Sequence, residues 1–300
     1  MHILLTGGTG LIGRHLCQRW SAAGHQLTVL SRHPSRVPQL CGAQVRGIDD
    51  FDGYGEGPLD AVVNLAGEPI ADRPWSARRK AVLWDSRVRL TERLVEWLEK
   101  RPQRPSVLLS GSAVGWYGDS GERPMPENSS AAGEDFASEL CLAWEQIAVE
   151  AEALGIRVVR LRTGLVLAPD GGFLPRMLPP FRFGLGGRLG NGRQWMSWIH
   201  INDMIGLIDF LLHQSQAQGP YNACAPSPAR NRDFTQALGQ VVGRPTLFAV
   251  PAFALRLALG ERSLLLLGGQ RVEPQRLLEA GYAFEYNDLA SALADVLRRS

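Results

Sequence analysis

The sequence of 300 residues predicts an α/β protein with a doubly wound parallel sheet and a smaller C-terminal lobe. In its first half, short apolar runs such as HILLT (2–6), QLTVLS (26–31) and DAVVNLA (60–66) alternate with longer helical patterns. Alternation at this spacing indicates parallel strands joined by right-handed crossovers. After residue 166 the pattern loosens, and residues 168–195 are rich in Gly and Pro, which is typical of a segment that lines a site or starts a second lobe.

The other elements continue the alternation along the chain. We expect helices at 11–23, 76–100, 136–154 and 202–213, and further strands at 43–48, 106–111, 156–163, 195–201 and 219–225. Gly24 is placed to end the first helix, and apolar residues recur along 76–100 at the spacing of one helix face. From about residue 230 the chain is mostly helical.

A glycine-rich stretch, TGGTGLIG (6–13), lies between the first strand and the first helix. Its glycines have GxxGxxG spacing, and this strand-to-helix context is the one that a dinucleotide site needs. Glycines let the backbone approach a pyrophosphate, while free N–H groups and the dipole at the helix start attract its charge. A glycine-rich turn that binds nothing is the alternative. The expected cofactor contacts are Gly7, Thr9, Gly10, Leu11, Ile12 and Gly13.

This loop makes the predicted sheet one of Rossmann type and suggests how the chain divides. We place an NADP-binding Rossmann domain at residues 1–165, to which the strand and helix of 195–225 return. A smaller substrate lobe takes residues 166–300 and includes the C-terminal helical region.

The end of the second strand indicates which dinucleotide is bound. An NAD site usually has Asp or Glu here to bind the ribose 2′-hydroxyl, but this chain has Ser31 and Arg32. An acid would repel a 2′-phosphate, whereas arginine can pair with it and serine can donate a hydrogen bond. We therefore expect NADP(H), with an ordinary surface arginine as the alternative reading of Arg32.

Two later strand ends are expected to reach the cofactor, because ligands bind at the carboxyl ends of parallel strands. The first gives Leu65, Ala66 and Gly67, whose small side chains leave room beside the ribose and nicotinamide. A tight turn with a core alanine explains the same residues equally well. The second gives Ser110 and Gly111.

Composition excludes several other classes of protein. The net charge of +2, from 32 basic and 30 acidic residues, gives no electrostatic reason to expect a nucleic-acid or membrane partner. The four cysteines form no CxxC pair and the histidines no HExxH, so we expect reduced thiols and no metal site. No signal peptide is visible, and we expect a cytoplasmic protein. A homodimer through helix 76–100 is left open.

Longer motifs resemble those of a known family. TGGTGLIG, NLAG and SGSAVGWYG, in this order on successive strands, are similar to the extended short-chain dehydrogenase/reductase superfamily. NLAGEPIADRPW, LRTGLVLAPDGG, LPPFRFGLGG and WIHINDM resemble its atypical subgroup of epimerase family proteins, as does the tail from about residue 245. The resemblance implies a Rossmann domain with a small substrate lobe. It also implies NADP(H) bound by Ser31, Arg32, Leu65 and Ala66, with Arg87 as a further contact.

The catalytic pair of that superfamily is missing. Active members use a Ser or Thr, a proton-donating Tyr, and a Lys four residues later that tunes the tyrosine. Ser112 matches the serine, but the expected Tyr and Lys positions fall near Ala137 and Cys141. No tyrosine of the chain has a lysine four residues on, so a shift of register does not restore the motif.

Other side chains are weighed as substitutes. Tyr117 follows Ser112 closely and could enter the site, although its turn is usually structural. His200 ends a strand and could move protons, although a structural role at the start of the next helix is favoured. Cys141 is expected to be a buried thiol and Glu145 a solvated helix carboxylate. Arg162 either binds an anionic substrate or only supports the edge of the sheet.

These observations leave two functional hypotheses. The first is an NADP(H)-dependent oxidoreductase or epimerase that acts on an unidentified small carbonyl or hydroxyl compound, with Ser112, Tyr117 and His200 as candidate catalytic residues. The second is a protein that binds or senses NADP(H) without chemistry.

Overall fold

The computed structural model describes residues 1–299 and confirms the α/β fold of Rossmann type. Its strands are β1 (His2–Thr6), β2 (Gln26–Leu30), β3 (Arg46–Ile48), β4 (Ala61–Asn64), β5 (Val107–Ala113), β6 (Pro124–Met125), β7 (Arg157–Thr163), β8 (Leu165–Leu167), β9 (Gly187–Leu189), β10 (Trp195–Met196), β11 (Trp198–His200), β12 (Gly219–Ala223), β13 (Ala229–Arg230), β14 (Phe248–Val250) and β15 (Arg271–Val272). Its α-helices are α1 (Leu11–Ala22), α2 (Val37–Cys41), α3 (Ala77–Trp84), α4 (Leu90–Lys100), α5 (Phe136–Glu150), α6 (Leu174–Arg182), α7 (Ile201–His213), α8 (Asn231–Val242), α9 (Ala252–Leu259), α10 (Leu264–Leu267), α11 (Gln275–Glu279) and α12 (Leu289–Arg298).

The main sheet has seven strands in the order β12-β7-β5-β4-β1-β2-β3, and all of its pairs are parallel. The strand order reverses at β1, which places the crevice of a Rossmann sheet between β1 and β4. The last strand to join, β12, comes from beyond residue 165, and α7 leads into it. The smaller strands form four two-stranded pairs outside this sheet.

Both faces of the sheet are buried, as the uninterrupted apolar strands require. Leu5 faces one core, where Leu16 and Trp20 of α1 pack with α7. Leu4 faces the other core, where Leu94 and Leu98 of α4 are buried. A separate cluster in the C-terminal lobe joins α6, α8 and α12.

The predicted helix 76–100 is the element that differs most from expectation. Ser76 caps its start by accepting a hydrogen bond from the Arg79 amide. Between α3 and α4, however, Asp85–Arg89 form one turn of π-helix. A π-turn inserts a residue into the helical repeat and changes the direction of its side chains, and such turns are frequent at functional sites. Here it contains Ser86 and Arg87, which bind the backbone at the end of β4.

We predict that Gly7→Ala lowers the melting temperature more than Gly24→Ala does. Both glycines have positive φ, 71° at Gly7 and 82° at Gly24, so each substitution costs about 1–2 kcal/mol in backbone strain. A Cβ at Gly7 would also lie 2.6 Å from the Leu65 carbonyl, whereas nothing lies within 4 Å of one at Gly24. Thermal unfolding followed by circular dichroism measures the difference, and equal losses would contradict the close approach.

Candidate functional site

The loop between β1 and α1 has the form of an anion-binding site. Gly10 caps α1 without a side-chain hydrogen bond, and the first turn contains no acidic residue. The N–H groups of that turn therefore remain available, and the helix dipole favours a negative charge there. Gly13 packs against the loop itself, because a Cβ there would lie 2.4 Å from the Gly7 carbonyl oxygen. Leu11 and Ile12 are half-buried, as is Thr9.

The ends of β1 and β4 meet beside this loop. The Leu65 amide donates to the Thr6 carbonyl, and the Ala66 amide donates to the Thr6 hydroxyl at 3.2 Å. Gly7 contacts the backbone of both Leu65 and Ala66. The structure thus brings together the phosphate loop and the NLAG segment. So close a contact requires a residue with positive φ and no side chain at position 7, which is why Gly7 stands there.

Arg32 reaches from the end of β2 toward the end of β4. Its side chain is 84% exposed, and its Nη1 lies 2.8 Å from the Glu68 carboxylate. Arg79 binds the other oxygen of Glu68 at 3.3 Å. Burial opposes ionisation of Glu68, but the hydrogen bond from Arg79 and the charge of Arg32 lower its pKa overall. Ser31 accepts a hydrogen bond from the His33 amide at 3.2 Å.

Arg87 lies flat against Gly67 at the end of β4. A Cβ at Gly67 would be 2.7 Å from its guanidinium carbon, so glycine is needed for this approach. The guanidinium donates to the carbonyl of Glu68 at 2.9 Å and lies 5.5 Å from the ring of Trp144 on α5. Arg87 is half-buried and contributes a positive charge between β4 and α5.

The other strand-end residues contribute to packing. Ser110 is fully buried, and its hydroxyl accepts a hydrogen bond from the Asn64 amide at 3.2 Å. Gly111 adjoins Trp144, whose ring would lie 2.7 Å from a Cβ at that position. These contacts fix the spacing between β4, β5 and α5.

A buried ion pair occupies the carboxyl ends of β5 and β7. Arg162 Nε lies 2.8 Å and its Nη2 3.0 Å from the two Glu145 carboxylate oxygens. The side chains are only 2% and 3% exposed. Ser112 donates a hydrogen bond of 2.7 Å to the same carboxylate. Ser112 is therefore held as a donor toward Glu145, and what it offers to a ligand is an oxygen lone pair.

The expectation that Glu145 is a solvated helix carboxylate is wrong, because its side chain is only 3% exposed. It faces the sheet because it lies four residues after Cys141 on the same side of α5. Arg162 lies on β7, which adjoins the edge strand β12, and its guanidinium is engaged in this ion pair and lies 3.4 Å from the ring centroid of Trp116. The signal in the sequence was helical spacing, which puts Ala137, Cys141 and Glu145 on one face.

Tyr117 belongs to the same network. Its hydroxyl donates to Asn222 at 2.7 Å and accepts from Arg162 at 2.9 Å. Ser112, Arg162 and Asn222 are register partners on β5, β7 and β12, which explains why they meet. Burial outweighs the charge of Arg162 and raises the pKa of Tyr117 to about 12. The hydroxyl is neutral near pH 7, and its hydrogen bonds are already used within the protein.

Cys141 lies on α5, four residues before Glu145. The thiol is buried against β5, beside Ser112. Burial and the negative charge of Glu145 raise its pKa to about 12, although Arg87 acts in the opposite direction. The thiol is therefore neutral near pH 7, and the positive charge that acts on it is the guanidinium of Arg87.

His200 lies in a different environment from Ser112. Its ring is fully buried, caps α7 by accepting from the Asn202 amide, and stacks on Tyr286 with 3.7 Å between centroids. Asp295 of α12 is 3.3 Å from its Nε2. These contacts are structural, as the sequence analysis favoured for His200. They connect α7 to α12 and Tyr286 of the C-terminal lobe. Among residues 1–299, no group of three or more His, Cys, Asp or Glu is arranged to hold a metal ion.

Together, the parallel sheet, the phosphate loop and the strand ends define a dinucleotide-binding protein of the Rossmann class. Residues 3–224 match the model of the NAD dependent epimerase/dehydratase family, and residues 250–296 match DUF1731, a domain of unknown function. The chain belongs to the NAD dependent epimerase/dehydratase family, and its resemblance to the atypical subgroup is confirmed.

Similar proteins cover almost the whole chain. The "Epimerase family protein SDR39U1 homolog, chloroplastic" of Arabidopsis thaliana is 40% identical over 99% of this chain and 87% of its own length. The epimerase family protein YfhF of Bacillus subtilis is 36% identical, covering 99% of this chain and 98% of its own. The crystal structure of human epimerase family protein SDR39U1 (isoform 2) with NADPH has a TM-score of 0.91 at 34% identity, covering 100% of both chains.

We predict that His200 makes stability depend on pH between about 4 and 6.5. Burial lowers its pKa from 6.5 to about 4, against the opposing charge of Asp295. Below pH 6.5 the unfolded chain binds a proton that the folded ring does not, so stability falls as pH falls through this window. This difference in proton binding lowers the free energy of unfolding by about 3 kcal/mol across the window.

Melting temperatures measured across this pH window test the linkage. The matched variant is His200→Asn, which keeps an oxygen to cap α7 but does not titrate. Its melting temperature is expected to fall less steeply than that of the original protein. Parallel curves for the two proteins would rule out His200 as the source.

Proposed function

We propose that this chain binds NADP(H) at the carboxyl ends of β1, β2 and β4. The observation that carries the proposal is the exposed guanidinium of Arg32 beside Ser31, with no acid at the end of β2. A 2′-phosphate would supply the anion that Arg32 now finds in Glu68. The human relative described with NADPH supports this choice over NAD.

The residues present fit such a cofactor. The first turn of α1 would hold the pyrophosphate, and Ser31 and Arg32 the 2′-phosphate. Leu65 and Ala66 would lie beside the nicotinamide half, where the backbone approaches closely because Gly7 has no Cβ. Arg87 would bring a positive charge to the position that a lysine serves elsewhere in the superfamily.

We further propose that the chain is an oxidoreductase or epimerase for a small hydroxyl or carbonyl compound. NADP(H) would supply the hydride donor or acceptor. Ser112 would bind the reacting oxygen, and its orientation favours a hydroxyl substrate, since its own proton is directed to Glu145. The Ser112–Glu145 hydrogen bond of 2.7 Å provides a path for a substrate proton to leave through Ser112 toward the carboxylate.

A second function, NADP(H) binding without chemistry, is favoured by a different observation. Glu145, Arg162, Tyr117 and Asn222 bind one another. Cys141 remains a neutral thiol. In this alternative the network is a structural support beneath a binding site. The two functions share the cofactor and differ in turnover.

We predict that Arg32→Glu weakens NADPH binding at least about tenfold, because hydrogen bonds to charged groups contribute about 1.5–3 kcal/mol. NADH affinity should change much less, since NADH has no 2′-phosphate. Isothermal titration with both cofactors makes the comparison.

Two variants serve as controls for Arg32→Glu. Arg36→Glu makes the same charge change at another exposed arginine nearby, and it should reduce NADPH affinity less. Glu68→Gln releases Arg32 from its ion pair and should leave NADPH affinity unchanged or higher. Equal losses of NADPH and NADH affinity in Arg32→Glu would contradict its role as the phosphate contact.

We predict NADP+ reduction with some member of a panel of small alcohols, and NADPH oxidation with the matching carbonyl compounds. Ser112→Ala should abolish turnover while keeping NADPH affinity, whereas Cys141→Ala should preserve turnover because a neutral thiol has no part in it. Absorbance at the nicotinamide band reports the rates. Tight NADPH binding with no turnover and no hydrogen exchange at the nicotinamide would select the non-catalytic function.

A further inference from the structure

Exposed apolar side chains are concentrated in one part of the C-terminal lobe. Nine of the twelve large hydrophobic residues that are exposed fall in segments 183–185 and 247–265, which we call the apolar patch. The most exposed are Leu257 at 87%, Leu247 at 85%, Phe183 at 80% and Phe253 at 72%. Monomeric soluble proteins rarely expose such clusters unless they form an interaction site.

The two segments of the patch are adjacent in space. β14 pairs in parallel with β9, with Phe248 opposite Gly187, so residues 183–185 and 247 precede the same end of one ribbon. The start of α9 lies beside the end of β9. A Cβ at Gly190 would be 3.7 Å from the Ala252 side chain. The patch is therefore a single surface formed by a ribbon and the helix that follows it.

The charge of this surface is mostly positive, since the one acidic residue in segments 183–185 and 247–265 is Glu261, which pairs with Lys80 at 2.8 Å. Segments 182–193 and 244–260 contain Arg182, Arg188, Arg193, Arg244 and Arg256, and they contain no acidic residue. All five arginines are exposed, and none takes part in an ion pair within residues 1–299. Other arginines of the protein are often paired, as Arg93 is with Asp50. The patch thus combines protruding apolar side chains with uncompensated positive charge.

This charge argues against a second copy of the chain as the partner. In a two-fold interface the same surface meets itself, so these arginines would face one another. Like charges across an interface cost free energy. Pairing of β14 with a strand of a second copy is also disfavoured. β14 has only three residues and lies between Pro245 and Pro251, and short edge strands flanked by proline resist strand addition.

We propose that the apolar patch binds the surface of a membrane that contains anionic lipids. Phe183, Leu247, Phe253 and Leu257 would enter the boundary between head groups and acyl chains, while the arginines bind lipid phosphates. Basic residues beside exposed Phe and Leu are the combination used by proteins that lie on membranes without crossing them. No helix within residues 1–299 is long and apolar enough to span a bilayer, so the contact is peripheral.

The proposal departs from the expectation of no membrane partner, which rested on the net charge of +2, on basic residues scattered among acids and on apolar runs too short to span a bilayer. It does not depend on NADP(H), because the patch is built from the C-terminal lobe and not from the phosphate loop. Cofactor binding therefore serves as an independent check that a patch variant is folded.

Flotation of the full chain with vesicles tests the proposal. The protein should float with vesicles of equal parts phosphatidylglycerol and phosphatidylcholine, and much less with phosphatidylcholine alone. Added salt should weaken binding, because the lipid charge is screened. Removing one arginine that lies near the membrane surface should weaken vesicle binding about fivefold. We therefore expect Arg188→Gln with Arg256→Gln to lose more than tenfold, and Phe253→Ser with Leu257→Ser to abolish flotation.

Matched controls separate the patch from general effects. Leu278→Ser removes an apolar side chain that is 50% exposed outside the patch. Lys100→Gln removes an exposed cation at the end of α4 that has no ion pair within residues 1–299. Both should float like the original chain, and all variants should keep the thermal shift with NADPH. Absence of flotation with anionic vesicles overturns the proposal. So does a concentration-dependent dimer that Phe253→Ser with Leu257→Ser dissociates, without vesicle binding.

Discussion

The ion pair between Glu145 and Arg162 determines how the carboxyl end of the sheet is arranged. Two charges that are almost fully buried must satisfy each other and all their remaining hydrogen-bonding atoms, because an unpaired buried charge costs several kcal/mol. Ser112 and Arg160 donate to the Glu145 carboxylate. Arg162 donates to the Tyr117 hydroxyl and to the Glu127 carbonyl, and Tyr117 in turn donates to Asn222. The orientation of Ser112 is thus set by Glu145. The Tyr117 hydroxyl is held between Arg162 and Asn222, and its burial, which outweighs the charge of Arg162, raises its pKa and keeps it neutral near pH 7.

The same constraint explains how α5 can lack the Tyr-Lys pair and still pack on the sheet. Its inward face presents Ala137, Cys141 and Glu145 at successive turns, so a small residue and a thiol precede the buried carboxylate. The carboxylate one turn later then requires a buried partner, which β7 provides. Positive charge at the end of β4 comes from Arg87, on a π-turn of another helix.

The fold could be predicted from the sequence because its signals are local. HILLT, the glycine loop and the next apolar strands each specify their own element, and parallel order follows from their alternation. The ion pair could not be predicted in this way, because Glu145 and Arg162 are charged residues whose burial depends on the register of β5, β7 and β12. The π-turn was missed because its five residues include no Gly or Pro that would indicate an interruption of the helix. Glu68 was missed because its partner, Arg32, comes from another strand.

Charge illustrates the same difference between composition and arrangement. A net charge of +2 describes a nearly neutral chain, yet some arginines are neutralised inside the sheet while others stand unpaired on the C-terminal lobe. The buried Arg162 bonds Glu145 and Tyr117, Arg87 lies against Gly67 at the end of β4, and the exposed Arg32 pairs with Glu68. The function of each arginine therefore depends on what already neutralises it. Those with no internal partner are the ones available to bind an external anion.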